Sequence, residues 1–280
     1  MAIAFTVLGS GSKGNAIAIG CDGLYILIDA GFSRSELLKR MEIAGIAPDA
    51  VRAVLLTHEH TDHLKGARVF CNSLNIPLCL TAKTADFLRH RQALPGKILV
   101  FDAGDAFTIA GFEVNSFPIM HDAIDPVGYT VEHSGNKVGV ATDIGVAGEG
   151  VVAALEGCHA LLWESNYDLE MLRNSNRTDR LKRRIMGTCG HLGNLDSAKA
   201  LGRILRSGTK TLILGHISRE CNTYEIAHAV ALRALTEMDR LDVALHVARQ
   251  DEPLATVYID EHSGEREYHS DLLVWAGCVT

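Results

Sequence analysis

"THEHTDH", residues 57–63, places three histidines and an aspartate within six positions of the chain. It follows the apolar run Val51-Arg52-Ala53-Val54-Leu55-Leu56, whose length and Val/Leu content predict a buried strand. The polar residues therefore occupy the loop at the C-terminal end of that strand, where sheets commonly carry chemistry. Neutral imidazole and carboxylate suit zinc, manganese or iron, and the lack of cysteine argues against a structural zinc knuckle. The stretch predicts a metal site, with a solvated polar loop as the alternative.

The composition is that of an ordinary soluble globular protein. The 280 residues are 47% hydrophobic and 22% charged, enough for one large domain or two small ones. No apolar run is long enough to span a membrane, and the N-terminus lacks the basic start of a signal peptide. Seven scattered cysteines without a CxxC pair predict reduced, mostly buried thiols in a cytoplasmic protein. The net charge of −7 argues against a broad nucleic-acid-binding surface but allows a local basic groove.

Strands and helices alternate along most of the chain. Helices are predicted after Ser33, an N-cap with Glu36 three residues on, and at 64–74, 151–155, 197–205 and 224–238. Strands are predicted at 3–8, 16–20, 24–29, 51–56, 78–80, 107–109, 112–117, 127–132, 137–142, 160–163, 211–214, 243–247 and 255–259. The Gly/Ser-rich stretch 9–15 predicts a tight turn or, alternatively, a phosphate contact. Without a linker or a composition break, the pattern predicts two sheets flanked by helices in one domain, 1–280.

Four further residues follow apolar strands in the same way as the histidine-rich loop. Each is a lone His or Asp just beyond its strand: Asp29, His121, Asp143 and His216. Taken singly, such a residue is more often a turn residue or a hydrogen-bonded histidine. Four of them arranged alike around one suspected metal loop favour a shared metal site.

This ordered series resembles the five motifs of the metallo-β-lactamase superfamily: Asp29, His58-x-His60-x-Asp62-His63, His121, Asp143 and His216. The resemblance implies an α/β (α+β) fold, a four-layer αββα sandwich with a two-metal site at one edge of its sheets. His121-Asp122-Ala123, followed by Asp125-Pro126 and Gly128-Tyr129, is similar to the phosphodiesterase and nuclease branches. The chain lacks the GHTPG-like motif of glyoxalase II, and it has His60 where flavodiiron proteins have Glu.

Later motifs are similar to the YycJ (WalJ) family of bacterial 5′→3′ exonuclease-like metallohydrolases. They are the stretches 163–168, 181–185, 190–194 and 215–222. The chain departs from that pattern at Tyr167, where the family usually has His, and at Gly193 and Gly215, where it usually has Ser. None of these departures replaces an expected metal ligand, so they concern substrate preference more than chemistry.

The resemblance implies a role for each residue of the series. His58, His60 and His121 would hold the first metal, Asp62, His63 and His216 the second, and Asp143 both. Asp29 would accept a hydrogen bond from a ligand histidine without touching metal. Two divalent ions, zinc or manganese, would share the hydroxide that attacks a phosphodiester, and Asp62 would also hold that water in line.

Substrate contacts are predicted from two further segments. A basic strip runs through Arg173, Arg177, Arg180, Lys182, Arg183 and Arg184. It predicts either a solvated face or a groove in which Arg180, Arg183 and Arg184 contact nucleic acid, with Tyr167 stacking on a base. In Gly190-His191-Leu192-Gly193-Asn194, His191 is predicted to act catalytically by binding phosphate, helped by Asn194 as a helix N-cap. The alternatives are a histidine that hydrogen-bonds a loop and a Cys189–His191 metal pair.

Three functions are compatible with these motifs. The favoured one is a metal-dependent phosphodiesterase, a 5′→3′ exonuclease acting on the ends of DNA or RNA. The second is a hydrolase of a small phosphodiester or ester, which would show no salt-sensitive polymer binding. The third, a non-catalytic binding protein, is disfavoured because every ligand position is filled. Metal identity, oligomeric state and pathway are left open by the sequence.

Overall fold

Two seven-stranded sheets form the centre of the protein, whose computed structural model describes residues 2–260. The first sheet has the order β14-β1-β2-β3-β4-β5-β6. Its strands are β1 (Ile3–Gly9), β2 (Ala16–Cys21), β3 (Leu24–Ile28), β4 (Val51–Leu55), β5 (Leu78–Thr81), β6 (Ile98–Phe101) and β14 (Val257–Ile259). The second has the order β13-β12-β11-β10-β9-β8-β7. Its strands are β7 (Ala106–Ile109), β8 (Phe112–Pro118), β9 (Val127–His133), β10 (Asn136–Ala141), β11 (Ala160–Glu164), β12 (Thr211–Gly215) and β13 (Ala244–Val247).

Helices cover the outer face of each sheet. Along the first sheet run α1 (Arg34–Ile43), α2 (Thr61–Leu64), α3 (Ala67–Leu74) and α4 (Ala82–His90). The second half contributes α5 (Glu149–Leu155), α6 (Leu169–Asn174), α7 (Asp179–Ile185), α8 (Asn194–Ile204) and α9 (Tyr224–Glu237). Leu37, Phe70 and Leu88 pack on the first sheet, while Leu155 and Leu201 pack on the second. The predicted four-layer αββα architecture is therefore confirmed.

Strand β2 shows how the sequence produces these layers. Ile17 and Ile19 face the second sheet, whereas Ala16 and Ala18 face the helices. Successive side chains of a strand point to opposite faces, and both faces of this sheet are covered, so every residue of β2 is buried and apolar. The core between the sheets thus takes the large side chains, and the small ones let the helices approach closely.

Parallel strands bring functional residues to one edge. Strands β3 to β6 are parallel to one another, as are β10 to β13. The carboxyl ends of parallel strands meet at the same edge of a sheet, which is where such folds bind ligands. The predicted strands that precede Asp29, His58, His121, Asp143 and His216 are all present.

The helix predicted at 64–74 is two helices, α2 and α3, separated at Gly66. A Cβ on Gly66 would lie 2.0 Å from the Phe32 carbonyl oxygen, and its N–H donates to the Ala30 carbonyl at 2.8 Å. The segment with Ala30 and Phe32 passes so close to position 66 that a side chain has no room there. The helix is therefore interrupted at this glycine. Ser33 caps α1 as predicted, because its Oγ accepts a hydrogen bond from the Glu36 N–H at 3.3 Å.

Asn194 does not have its predicted role as an N-cap. Gly193 occupies the cap position of α8 without a side-chain hydrogen bond, and Asn194 is the first residue of the helix. Its amide is instead hydrogen-bonded to Ser165 and Asn222 inside the protein. Hydrogen bonds to Ser165 and Asn222 therefore fix the position of this side chain. Sequence spacing alone does not reveal these partners.

Most cysteines are buried, as predicted. Of the six cysteines among residues 2–260, five are buried, Cys189 is exposed and none forms a disulfide, while Cys278 lies outside the described residues. Over the same range, no helix combines the length and apolarity that crossing a membrane requires.

Candidate metal centre and its groove

Three residues of the candidate site adopt a backbone conformation that turns the chain at the end of a strand. Asp29, Asp143 and His216 have positive φ angles of 62°, 60° and 53°. This left-handed region is uncommon for residues other than glycine, and residues held in it cluster at functional sites. They follow β3, β10 and β12 respectively, so the turns place their side chains at the common edge of the sheets.

The histidine-rich loop and the strand ends meet in one cluster. His58, His60 and His121 each place a ligand atom within 4.8 Å of the others, as do Asp62, His63 and His216 in a second group. Asp143 lies between them: its Oδ2 is 3.1 Å from His63 Nε2, and its Oδ1 is 3.6 Å from His121 Nε2. The structure thus brings together all seven residues that the sequence predicts as metal ligands.

Hydrogen bonds fix the ring orientation of these histidines. Buried Asp29 lies 2.7 Å from His63 Nδ1 and also accepts from the Thr57 N–H at 2.8 Å. The Gly190 carbonyl accepts from His121 Nδ1 at 3.1 Å. Each bond takes up the Nδ1 proton, so the Nε2 atoms of His63 and His121 face the cluster, as a metal ligand requires.

Glu164 is a central residue of the site that sequence reasoning did not single out. It ends β11, is 0% exposed, and its Oε1 lies 2.9 Å from both His191 Nδ1 and His216 Nδ1. Its Oε2 accepts from the Ile144 N–H at 2.7 Å and the Leu192 N–H at 3.2 Å. It therefore orients two histidines and ties two loops. Its position beyond the apolar run Ala160–Trp163 is the signal that could have identified it.

The Gly/Ser-rich turn, residues 9–15, supports the cluster from the side of the first sheet. Asn15 Oδ1 accepts from Ser10 Oγ at 3.1 Å, and Asn15 Nδ2 lies 3.0 Å from His63 Nε2. Ser10 Oγ in turn accepts from the His216 N–H at 2.8 Å. The turn thus holds the two candidate ligands His63 and His216 in place. Ser12, also in this turn, lines the cavity at the cluster.

The donor set fits divalent cations. Three buried atoms of the cluster have no hydrogen-bond partner among residues 2–260: His58 Nε2, His216 Nε2 and Asp143 Oδ2. Asp143 Oδ2 lies 3.1 Å from His63 Nε2, and Asp29 takes the Nδ1 proton of His63, so the space between these two atoms suits either a second ring proton or a shared metal ion. Unpaired buried acceptors are costly and rare, and a shared cation would satisfy them. Nitrogen and oxygen donors in this number suit zinc or manganese.

The electrostatics agree with a cation site. Burial lowers the pKa of His216, but the carboxylates of Asp143, Asp62 and Glu164 outweigh it and raise that pKa to about 10. Burial likewise raises the pKa of Asp143, yet the neighbouring His216 and His63 hold it well below its ordinary value. Four carboxylates converge on this cluster, so its potential is negative enough to attract protons or metal ions strongly.

A cavity of about 190 Å³ opens at the cluster, and basic residues line it together with the candidate ligands. These basic residues are Arg177, Arg184 and His191. Because Glu164 takes up His191 Nδ1, the Nε2 of this 20% exposed ring is left for the cavity. Within residues 2–260, no group of potential metal ligands includes Cys189, so the structure does not assemble a Cys189–His191 pair.

The basic strip divides into two parts. Arg177 has a buried Nε without a hydrogen-bond partner, and Arg184 donates from Nε to Asp122 at the cavity edge. Arg180 and Arg183 are exposed and do not line the cavity. The part of the strip nearest the cluster is therefore Arg177 and Arg184, and sequence reasoning did not single out Arg177.

Comparison with known proteins places the chain in a family. Residues 25–217 match the model of the beta-lactamase superfamily domain. The chain belongs to the beta-lactamase superfamily. It is 34% identical over 242 residues to exodeoxyribonuclease YycJ of Bacillus anthracis, covering 85% of this chain and 90% of that protein. It is 32% identical over 240 residues to exodeoxyribonuclease WalJ of Streptococcus pneumoniae, covering 84% and 89% respectively.

Solved structures agree with this superfamily membership at the level of the fold. The metallo-beta-lactamase fold protein YhfI from Bacillus subtilis superposes with a TM-score of 0.67 at 14% identity, covering 91% of this chain and 99% of that one. At such low identity the likeness concerns the fold alone.

Two positions at which the sequence departs from the YycJ-like pattern of the superfamily touch each other. Tyr167 and Gly193 form an isolated parallel β-bridge, and a Cβ on Gly193 would lie 2.8 Å from the Tyr167 ring. Tyr167 is only 6% exposed and packs with Leu172 and Cys221. The predicted base-stacking role of Tyr167 is therefore wrong, because its ring has no free face. Asn194, 3% exposed and hydrogen-bonded internally, likewise has no access to a phosphate.

Proposed function

We propose that this protein is a metal-dependent exodeoxyribonuclease that degrades DNA in the 5′→3′ direction. The observation that carries the proposal is the convergence of seven nitrogen and oxygen ligands at a cavity that two arginines also line. The proteins named exodeoxyribonuclease that share about a third of its sequence over most of both chains support the same activity.

Two divalent cations, zinc or manganese, are proposed for the cluster. His58, His60 and His121 would hold one, Asp62, His63 and His216 the other, and Asp143 would contact both. Bound cations of this kind supply a nucleophilic water at neutral pH and withdraw charge from phosphate oxygens. Asp29 and Glu164 hold the ring orientation of the ligand histidines.

Asp62 and His191 are the proposed catalytic residues. The Asp62 carboxylate is partly exposed, with Oδ2 3.5 Å from His63 Nε2 and 3.6 Å from His216 Nε2, so it can orient the attacking water. Glu164 binds Nδ1 of His191 and so orients the ring, and its Nε2 is proposed to contact an oxygen of the scissile phosphate. Arg177 and Arg184 are proposed to contact the phosphate backbone, with Arg180 and Arg183 contributing only longer-range attraction.

The setting of the enzyme is also proposed. Reduced, mostly buried thiols agree with a cytoplasmic protein. Residues 1–280 are proposed to form one domain with nucleic acid as partner.

One assay tests this function directly. End-labelled single- and double-stranded DNA and RNA, with 5′-phosphate or 5′-hydroxyl ends, are incubated with Mn²⁺, Zn²⁺ or a chelator. We expect stepwise release from the 5′ end of DNA, abolished by the chelator. Turnover of small phosphodiesters without any cleavage of DNA would support the small-substrate hydrolase instead.

The His191→Ala variant assigns the role of that residue within the same assay. Unchanged metal content, slower cleavage and a smaller preference between the two 5′ ends are expected, because a phosphate contact is removed. Loss of a metal ion from the variant would show that His191 is a ligand.

A further inference from the structure

A second and larger cavity opens directly beside the metal-ligand cluster. It has a volume of about 590 Å³ and shares His60, Asp62 and Arg184 with the smaller one. Its far wall is α4 and the turn after it, which contribute Phe87 and Arg91. Because the two cavities meet at the residues that would surround a scissile phosphate, they form one groove that extends away from the cluster.

Arg91 brings to this groove a positive charge that is not held in an ion pair within the described part of the chain. Within residues 2–260, no carboxylate forms an ion pair with it, although its helix neighbours are paired: Arg89 with Asp86, and Lys83 with Asp125 at 2.9 Å. Two carboxylates line the same cavity: Glu59, which accepts a hydrogen bond from the Ile124 N–H at 3.0 Å, and Asp62, which belongs to the metal-ligand cluster. The protein has a net charge of −7, so an unpaired arginine here is a specific feature rather than part of a basic surface.

The Arg91 guanidinium is stacked on an aromatic ring. Its Cζ lies 3.8 Å from the centroid of Phe87, which is half-buried and therefore held in place. Nucleic-acid bases stack on aromatic rings and on guanidinium planes, and guanidinium also pairs with phosphate. The pair thus offers both kinds of contact that an unpaired nucleotide needs.

We infer that Phe87 and Arg91 form a platform for the single-stranded DNA that continues beyond the scissile phosphate. This inference rests on the exodeoxyribonuclease function proposed above. The smaller cavity, lined by Arg177 and His191, would take the terminal nucleotide, and the larger one the next base and phosphate. Stacking requires an exposed base face, so the platform selects single-stranded ends over paired ones.

The test compares Arg91→Ala and Phe87→Leu with Arg89→Ala, a matched control on the same helix whose partner is Asp86. Each variant is assayed on a small chromogenic phosphodiester that carries no second nucleotide and so cannot reach the platform, and on a longer single-stranded oligodeoxynucleotide. For the longer substrate we expect kcat/KM to fall about tenfold in Arg91→Ala and in Phe87→Leu, since one stacked base is lost. The small phosphodiester should be cleaved at the wild-type rate, and Arg89→Ala should match wild type on both.

A binding measurement separates this inference from the proposed function. Fluorescence anisotropy of a labelled single-stranded oligonucleotide is recorded with chelator present, so that no cleavage occurs. Arg91→Ala should bind about tenfold more weakly, with a salt slope smaller by about 0.7. If the wild-type protein cleaves no DNA, the proposed function is wrong. The binding measurement would still test whether the groove binds single-stranded DNA through the platform. Unchanged binding in Arg91→Ala, or equal losses on the small phosphodiester and the longer strand, would overturn the platform.

Discussion

The two walls of the metal site are built in different ways. The first comes from one short loop, because His58, His60, Asp62 and His63 lie within six residues between β4 and the end of α2. The second takes Asp143, Glu164, His191 and His216 from four separate segments. Its geometry depends on strand register: Ala141, Trp163 and Leu214 are aligned across β10, β11 and β12. The residues beyond them therefore arrive at the same level.

This difference separates local from cooperative effects. A substitution in the loop removes a ligand without disturbing a strand. A substitution in the second wall affects several partners together, because Glu164 bonds His191, His216 and the backbone of two loops. Variants in the two walls should therefore both lose activity, but they should differ in how much unfolding stability they lose.

The loop is tested by Asp62→Ala. We expect activity to fall by several orders of magnitude, because the change removes a ligand and the group that orients the attacking water. The circular dichroism spectrum of the chelated protein should stay close to that of wild type. Its unfolding midpoint should fall less than in a variant of fully buried Glu164, because the Asp62 side chain is partly exposed, although its carboxylate contacts Asn15, His63 and His216. A folded Asp62→Ala protein with wild-type activity and two bound metals would refute the assignment.

The second wall is tested by Glu164→Gln. Loss of an orienting carboxylate beside ligand histidines typically costs about 10- to 100-fold in metal affinity or activity. Here the amide also places an N–H group opposite an oriented histidine or a backbone donor, so unfolding stability should fall as well. Isothermal titration with Zn²⁺ and chemical denaturation measure the two effects. Glu113→Gln, an exposed glutamate on β8, is the control, and a Glu164→Gln protein as stable as that control would contradict the cooperative role.

These walls also differ in how far the sequence predicts them. The loop is visible in seven consecutive letters, and the rule of a lone His or Asp after an apolar strand located Asp29, His121, Asp143 and His216. The same rule applied to Glu would have included Glu164. Tyr167 was misjudged because its burial depends on Gly193, which no local pattern connects to it.

The groove was beyond prediction for a related reason. Helix α4 carries its buried side chains at Thr84, Ala85 and Leu88 only, and this apolar pattern is too weak to identify a helix. Its residue Phe87 and the adjacent Arg91 become significant only when the fold places them beside Asp62.

The negative potential shared by both walls predicts a pH effect in the metal-free protein. The pKa of His216 is raised from 6.5 to about 10, and that of His63 is also raised well above 6.5. A raised folded-state pKa contributes stability that is present below pH 6.5 and is lost as the pH rises towards 10. Chelated protein should therefore lose free energy of unfolding across that window.

Zinc should oppose this loss. Binding to the folded state adds about 2.7 kcal/mol when free metal is at 100 times the dissociation constant, and the deprotonated histidines bind it best. Urea denaturation at several pH values, with chelator or with Zn²⁺, measures both curves. Equal unfolding free energies for the chelated protein at both ends of the window would show that the histidine protons are not held by the carboxylates.

The smallest expected effect concerns the contact that aligns two segments of the second wall. The Asn166 N–H donates to the Leu192 carbonyl at 2.9 Å, and the Asn194 N–H donates to the Tyr167 carbonyl at 2.9 Å. Tyr167 and Gly193 lie within this pairing, and the ring occupies the space that a Cβ on Gly193 would need. Gly193→Ser alone should therefore cost about 1–3 kcal/mol of unfolding free energy through overpacking. Tyr167→His alone should cost a similar amount by removing a buried ring from its packing.

The double variant, Tyr167→His with Gly193→Ser, restores the residue pair usual in the YycJ-like pattern. The smaller imidazole leaves room for the serine Cβ, so the double variant should be more stable than the sum of the two single changes predicts. A coupling free energy of about 1 kcal/mol is expected for residues in direct contact, and chemical denaturation of the four proteins measures it. Additive changes would mean that the two positions vary independently. A clear coupling would show that the contact between positions 167 and 193 holds the segments carrying Glu164 and His191 in register. The first wall, which is a single short loop, has no need of such a contact.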